Sequence, residues 1–282
     1  MEKLKRLAAI NDISGFGKCS LTVALPIISA AGIETTVLPT AVLSTHTGGF
    51  TGYTYRDLTE DITPITEHWK SLDLKFDAIY SGFLGSFEQI ELVKKFIGAF
   101  RTPENLVLVD PAMADNGVMY AIFDMNFAKE MTSLCATADM IVPNLTEAAF
   151  MLGDEYREGP YTKEYIENIM KRLAALGPKY IVLTGVYFDS EQLGAATFNK
   201  LTGEITYSLS ERIDGYYHGT GDVFASALAG AYMNGFSLPE SAKIAVDFTC
   251  AAISRTKQQG TDIRFGVDFE HGIPEFLKNL GK

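Results

Sequence analysis

A short glycine-rich run directly precedes an apolar segment that has helical spacing. The run is Gly219-Thr220-Gly221-Asp222, and the apolar segment covers 223–232. Glycines let the backbone turn sharply, and the unpaired N–H groups at a helix N-terminus attract anions. A carboxylate beside bound phosphate would repel it, unless the carboxylate takes up a proton during transfer. The run therefore predicts phosphoryl transfer onto a hydroxyl with Asp222 as the base. The alternative is that Asp222 only complements the helix dipole.

Further carboxylates and an amide follow two other predicted strands. Asp110 and Asp115 come after one strand, Asn144 leaves the next, and Glu147 falls in the first turn of a helix. Oxygen ligands of this kind suit Mg²⁺, usually through water. A helix-capping role for Glu147 and a strand-end turn at Asp110 are the alternatives. Because these residues and the glycine run fall at one edge of one predicted sheet, they favour a magnesium-phosphate site.

The turn after the first strand, Asn11–Ser20, invites a nucleotide-loop interpretation, which fails on inspection. A Walker loop requires glycine at the position of Asp12, and its lysine is followed by Ser or Thr, where this chain has Cys19. A dinucleotide fingerprint requires glycine at the position of Ser20. Two interpretations remain open: a substrate-binding turn, or a structural turn with Ser20 as the helix N-cap.

The segment Leu43–Tyr53 is rich in glycine, hydroxyl and aromatic side chains. Such a stretch predicts a mobile loop that closes over a planar ligand, and an ordinary exposed turn is the alternative. His46 has the chemistry of an acid or base, but a lone loop histidine is more often simply a hydrogen-bonding residue.

Apolar runs typical of strands alternate with segments of helical periodicity. The predicted strands are Leu7–Ile10, Thr36–Leu38, Ala78–Ser81, Leu106–Asp110, Met140–Pro143, Tyr180–Thr184, Gly194–Phe198 and Glu204–Ser208, the last two forming a hairpin. The predicted helices are Ser20–Ala31, Ser86–Phe100, Thr146–Leu152, Lys163–Leu176, Gly221–Asn234 and Pro239–Thr256. This alternation predicts one α/β domain over residues 1–282, with a central, mainly parallel sheet flanked by helices on both faces. Ligands should then bind at the C-terminal ends of the strands.

Composition and net charge limit the classes of molecule that the protein could bind. The formal net charge of −11 argues against nucleic acid or an anionic membrane as the main partner, and an apolar content of 47% can supply a full core. The three cysteines, Cys19, Cys135 and Cys250, are far apart and form no CxxC pair, which fits free thiols in a reducing cytoplasm. No apolar run is long enough to span a bilayer.

Taken together, the motifs resemble the ribokinase-like superfamily and, more closely, its pyridoxal/pyridoxine/pyridoxamine kinase branch. The resemblance covers nearly the whole chain in the expected order. It is carried by Gly219–Asp222, Asn144-x-x-Glu147, Asp110-Pro111, Ser44–Gly48, Tyr80–Phe83 and Asp115…Gly117…Tyr120. The departures are Thr45, where these kinases have asparagine, and Asp12, where many of them have serine. The Asp12–Gly17 stretch leans towards hydroxymethylpyrimidine kinases, which share the fold, and that substrate is the alternative.

The resemblance implies transfer of the γ-phosphate of ATP to the 5′-hydroxymethyl group of a vitamin B6 vitamer. It implies that Asp222 accepts the hydroxyl proton, while the N–H groups of Gly219, Thr220 and Gly221 stabilise charge on the transferring phosphoryl group. The implied ATP and Mg²⁺ residues are Asp110, Asp115, Asn144, Glu147 and Thr184, with Glu147 reaching the metal through water. The implied substrate residues are Asp12, Cys19, His46, Thr47, Phe83 and Tyr120. The resemblance also implies a homodimer and leaves a monovalent-cation requirement open.

Overall fold

The computed structural model describes residues 3–282. Its strands are β1 (Arg6–Ser14), β2 (Glu34–Leu43), β3 (Tyr55–Asp57), β4 (Ala78–Ser81), β5 (Leu106–Val109), β6 (Ala114–Asp115), β7 (Val118–Met119), β8 (Met140–Ile141), β9 (Tyr180–Val186), β10 (Gln192–Asn199) and β11 (Glu204–Glu211). Its α-helices are α1 (Leu21–Ala30), α2 (Thr59–Ser71), α3 (Phe87–Phe100), α4 (Met125–Cys135), α5 (Leu145–Leu152), α6 (Lys163–Ala175), α7 (Thr220–Met233), α8 (Leu238–Gln259) and α9 (Ile273–Asn279).

One nine-stranded sheet organises the chain, in the order β11-β10-β9-β8-β5-β4-β1-β2-β3. Neighbouring strands from β9 to β2 are parallel, while β10 and β11 at one edge and β3 at the other pair antiparallel. A separate two-stranded hairpin, β6-β7, follows β5. The C-terminal ends of the parallel strands therefore share one edge of the sheet, as the alternating pattern predicts.

Helices bury both faces of this sheet, which explains why its central parallel strands are continuously apolar. Ile10, Ile79 and Val109 face the layer formed by α2 to α6. On the opposite face, Ala9 and Tyr80 contact the layer formed by α1, α7, α8 and α9. A strand that is buried on both faces reads as a continuous apolar run, because its side chains alternate between the two cores.

The predicted α/β architecture is confirmed, with some elements missed. Every predicted strand and helix exists. Strand Ala78–Ser81 has its predicted bounds, and the other elements have shifted bounds; the helix after the glycine run, for example, begins at Thr220 rather than Gly221. Two helices, α2 and α4, the edge strand β3, the hairpin β6-β7 and the C-terminal helix α9 were not predicted. Within residues 3–282, no helix is both long enough and apolar enough to cross a membrane.

Candidate active site

The glycine run forms the N-terminus of α7, as predicted. Gly219 is the N-cap residue and has a left-handed backbone with φ of 76°. A side chain at Gly219 would place its Cβ 2.1 Å from the carbonyl oxygen of Lys18, so only glycine fits at this position. The first helical hydrogen bond runs from the N–H of Val223 to the carbonyl of Gly219, at 3.0 Å. The N–H groups of Thr220 and Gly221 precede it and have no partner within the helix, which makes this end attractive to an anion.

Asp222 lies in the first turn of this helix and is half-buried. Burial, with a smaller contribution from the negative charge of Asp12, raises its pKa from the ordinary 3.8 to about 7. The backbone N–H of Ser20 and the side chain of Asn11 act in the opposite direction and lower the pKa. A carboxyl group with a pKa near neutrality is suited to accept a proton from a substrate hydroxyl.

Asp110 and Glu147 form an acidic pair beside Asp222. Both side chains are buried, with 8% and 3% of their surface exposed. Burial holds the pKa of each well above its usual value, and a neighbouring acid adds to the effect: Asp222 acts on Asp110, and Asp110 acts on Glu147. Three acids from α7, β5 and α5 thus converge at one edge of the sheet, as predicted for the phosphate side of the site.

Asn144 and Glu147 also form the cap of α5. The Asn144 Oδ1 accepts the N–H of Glu147 at 2.9 Å, and the Glu147 Oε2 accepts the N–H of Asn144 at 2.8 Å. The other carboxylate oxygen of Glu147 accepts the N–H of Met113 at 3.2 Å. The capping alternative is therefore correct for these two residues. Each carboxylate oxygen keeps a further lone pair, so capping leaves room for a water-mediated contact.

The donor set fits a magnesium ion held mainly through water and phosphate. Within residues 3–282, no group of three or more His, Cys, Asp or Glu side chains is arranged to ligate a metal directly. Asp110 and Glu147 are nevertheless buried together, and their mutual repulsion raises the pKa of Glu147. A cation between them and the phosphates would relieve that repulsion.

The end of β1 carries Asp12, and the turn after β1 carries Cys19; both residues lie close to Asp222. Asp12 is buried, and its carboxylate accepts hydrogen bonds from the Ser14 hydroxyl at 2.9 Å and the Ser20 hydroxyl at 2.5 Å. Ser20 occupies the N-cap position of α1, as one of the two open interpretations has it, but its side chain makes no capping hydrogen bond. The hydroxyl is taken up by Asp12 instead. Burial and the charges of Asp222 and Asp12 raise the pKa of the Cys19 thiol.

The glycine-rich segment between β2 and β3 lies folded over this turn. We call residues 44–53 the flap. The His46 Nε2 lies 2.6 Å from the carbonyl oxygen of Arg264, and the His46 Nδ1 accepts the N–H of Gly48 at 3.1 Å. His46 is buried, and burial lowers its pKa. Phe16 packs edge-on against Phe265, with ring centroids 5.0 Å apart, which ties the β1 turn to the segment after α8.

Two site residues that were not predicted, Tyr216 and His218, stand just before the glycine run. The His218 ring lies 4.8 Å from the His46 ring and 4.9 Å from the Tyr216 ring, centroid to centroid. Tyr216 in turn lies beside Asp115: burial raises the pKa of Asp115, and the contact with Tyr216 lowers it. The loop before α7 therefore connects the flap to the hairpin β6-β7. Adjacency to the run was the one signal in the sequence.

The remaining predicted residues fall around this centre. Tyr120 has a raised pKa, caused by burial of its hydroxyl and by the charges of Glu147 and Asp115. Phe83 and Tyr120 both pack against Phe123. The ring centroids of Phe83 and Phe123 are 5.7 Å apart, and those of Tyr120 and Phe123 are 6.4 Å apart. Thr184 bridges to Asn144 at the end of β9. Thr47 lies exposed on the flap, without a hydrogen bond among the described contacts.

Known proteins share this fold. Residues 25–265 match the phosphomethylpyrimidine kinase family. The chain therefore belongs to that family, and its fold is ribokinase-like. A Bacteroides thetaiotaomicron protein described as a phosphomethylpyrimidine kinase, solved with pyridoxal, is 38% identical with a TM-score of 0.92, over 99% of this chain and 96% of that one.

Two further relatives bear the names of vitamin B6 kinases. The pyridoxal kinase of Lactobacillus plantarum is 31% identical, with a TM-score of 0.89 over 98% of both chains. The pyridoxine kinase of Bacillus subtilis is 30% identical over 183 residues, which is 64% of this chain and 65% of that protein. The match thus spans slightly less than two thirds of the Bacillus protein. The resemblance read from the motifs, to the pyridoxal kinase branch, is confirmed.

Proposed function

We propose that this chain is an ATP-dependent kinase that phosphorylates the 5′-hydroxymethyl group of pyridoxal, pyridoxine or pyridoxamine. The observation that carries the proposal is the position of Asp222, a carboxyl group with a pKa of about 7 in the first turn of an anion-attracting helix. A site that only binds phosphate gains nothing from a base at that position. Residues 1–282 form one kinase domain in this proposal.

In the proposed reaction, Asp222 accepts the proton of the substrate hydroxyl as the γ-phosphoryl group is transferred. The N–H groups of Gly219, Thr220 and Gly221 stabilise the charge on the transferring oxygens. Glu147, with Asp110, Asp115 and Asn144, would hold Mg²⁺ through water, and the ion would neutralise the phosphate charge. Thr184 contacts the nucleotide phosphates.

The vitamer occupies the space between the β1 turn and the flap. In the proposal, its ring is lined by Asp12, Cys19, Thr47, Phe83 and Tyr120. His46 closes the flap over the ring, and closure excludes water from the transferring phosphoryl group. The relatives that bear pyridoxal or pyridoxine in their descriptions support this choice of substrate. We further propose that the protein is a homodimer in a reducing cytoplasm and that neither nucleic acid nor a membrane is a partner. Whether a monovalent cation is required is a question for the kinase assay.

The second candidate substrate is hydroxymethylpyrimidine, which carries a similar hydroxymethyl group on a heteroaromatic ring. The family match and the buried carboxylate of Asp12 favour it. The test is one assay of ADP release and phosphorylated product with pyridoxal, pyridoxine, pyridoxamine and hydroxymethylpyrimidine, each with ATP and Mg²⁺. We expect the highest kcat/KM with a B6 vitamer. A higher kcat/KM with the pyrimidine would transfer the proposal to that substrate, and no product with any of the four would end it.

A further inference from the structure

We propose that Asn11 is a positioning residue that orients the carboxylate of Asp222, an inference that rests on the proposed kinase function. Asn11 lies towards the C-terminal end of β1, and only 1% of its surface is exposed. Side chains alternate along a strand, so Asn11 shares the sheet face of Leu7 and Ala9. That face is covered by α7, the helix that carries Asp222.

The side-chain amide of Asn11 uses its oxygen in a hydrogen bond but not its nitrogen. Its Oδ1 accepts the N–H of Asp12 at 3.1 Å, which fixes the orientation of the group. Its Nδ2 is fully buried and completes no hydrogen bond with any residue of the described range 3–282. Asp222 lies in the first turn of α7, the helix that covers this face of the sheet, and the Asn11 side chain lowers the pKa of its carboxyl group.

Gly82 makes room for this arrangement. It follows β4, the strand that pairs with β1, and its N–H donates to the carbonyl of Ile10 at 3.0 Å. A Cβ at Gly82 would stand 2.3 Å from the Asn11 Nδ2, so the amide would have to shift to admit it. The amide of Asn11 thus occupies the space that a side chain at position 82 would fill.

A buried donor without a partner destabilises a fold, so its retention calls for an explanation. Asp222 supplies this explanation, because its carboxylate can accept a hydrogen bond from the Asn11 Nδ2 when the carboxylate turns towards the substrate hydroxyl. The donor would hold the accepting oxygen in place for proton transfer. A misplacement of about 1 Å in such a group can lower the rate about 10²-fold.

Two substitutions disturb this contact by different routes. Asn11→Ala removes the donor, whereas Gly82→Ala keeps it and displaces it by steric contact. Both variants should lower kcat for the preferred vitamer about 10-fold to 10²-fold while KM for ATP and for the vitamer stays within about twofold. Gly98→Ala is the matched control, since Gly98 lies exposed in α3 with open space at its Cβ. It should leave both constants unchanged, and thermal unfolding checks that each variant is folded.

A double-substitution cycle separates positioning from a general structural role. In an Asp222→Asn background, Asn11→Ala should cause no further loss of product formation, measured in long incubations with excess enzyme, because the residue acts only through the Asp222 carboxylate. Equal fold-losses in both backgrounds would overturn the inference, as would unchanged kcat in both Asn11→Ala and Gly82→Ala. A wild-type protein that forms no product would instead refute the kinase proposal, so the two failures are distinguishable.

Discussion

The imidazole rings of His46 and His218 lie with their centroids 4.8 Å apart and their planes inclined by 33°. His46 belongs to the flap, and His218 directly precedes the glycine run that begins α7. A Cβ at Gly48 would collide with the His218 ring, at 2.5 Å, so glycine lets the flap approach this closely. The flap and the loop that leads into α7 are thus in direct contact through two histidines.

This contact makes the stability of the protein depend on pH. Burial lowers the pKa of both histidines from 6.5, and for His218 the neighbouring His46 lowers it further; Asp12 and Asp262 oppose the effect at His46 and His218 respectively. Because the folded pKa is depressed, the unfolded chain binds more protons as pH falls below about 6.5, and stability is lost in that range.

Replacement of His218 by glutamine removes one such group. We expect His218→Gln to destabilise the protein less at pH 5.5 than at pH 7.5, relative to wild type at the same pH. Urea unfolding at the two pH values measures this difference. His68→Gln, on the polar helix α2, is measured in parallel as the comparison variant. An equal destabilisation at both pH values would contradict the lowered pKa of His218.

The flap should become ordered when the vitamer binds. Its backbone amides are expected to exchange quickly with solvent in the free protein and to slow when pyridoxal and a non-hydrolysable ATP analogue are added. Thr47→Val should raise KM for the vitamer more than KM for ATP, because the hydroxyl contacts the ring only when the flap is closed. Thr51→Val, also exposed on the flap, is the control. If amide exchange in the flap is the same with and without the vitamer, and Thr47→Val leaves KM for the vitamer unchanged, the vitamer pocket is elsewhere.

Glu147 is expected to act through Mg²⁺ as well as through its cap. Glu147→Gln removes the negative charge while retaining one carbonyl oxygen as an acceptor for the backbone. It should raise the Mg²⁺ concentration that gives half-maximal rate, with a smaller effect on vitamer KM. A magnesium titration of the variant beside the exposed-surface control Glu104→Gln measures the shift. Identical titration curves would leave Glu147 as a helix-capping residue only.

Gly219→Ala should destabilise the protein and suppress activity together. An alanine would adopt a left-handed backbone at φ of 76° and meet the Lys18 carbonyl at 2.1 Å. Strain of this kind costs about 1–3 kcal/mol, to which the steric contact adds. For stability, Gly221→Ala is the matched control, because its Cβ would meet open space. If urea unfolding showed equal stability in the two variants, Gly219 would not be under the constraint described.

The sequence predicted the parallel core of the sheet well, and the polar helices less well. Strands such as β4 and β5 are short apolar runs whose burial on both faces makes them visible. Helix α2 was missed because its sequence pattern is atypical of a helix. Pro64 lies inside it, and only Ile62 and Thr66 are buried, so its apolar stripe is sparse. Helix α4 carries a readable signal, an Asp124 N-cap before a regular buried stripe, and could have been found.

The candidate site divides in a similar way. Residues in short motifs, such as Asp222 and Glu147, were predicted because the motif fixes their spacing. Asn11 was not among the predicted site residues, since its proposed role depends on how β1 packs against α7, which no local pattern encodes. Arg264 was missed for the same reason: its carbonyl, not its side chain, meets His46, and any residue type supplies a carbonyl.

The role of Asp222 as the base is tested most directly by Asp222→Asn. This change keeps the shape of the side chain and removes the charge that accepts the proton. We expect the variant to fold and to bind ATP like the wild type, while kcat for the preferred B6 vitamer falls by about 10²-fold or more. Product formation at a near-normal rate, with ATP binding intact, would contradict the assignment of Asp222 as the base.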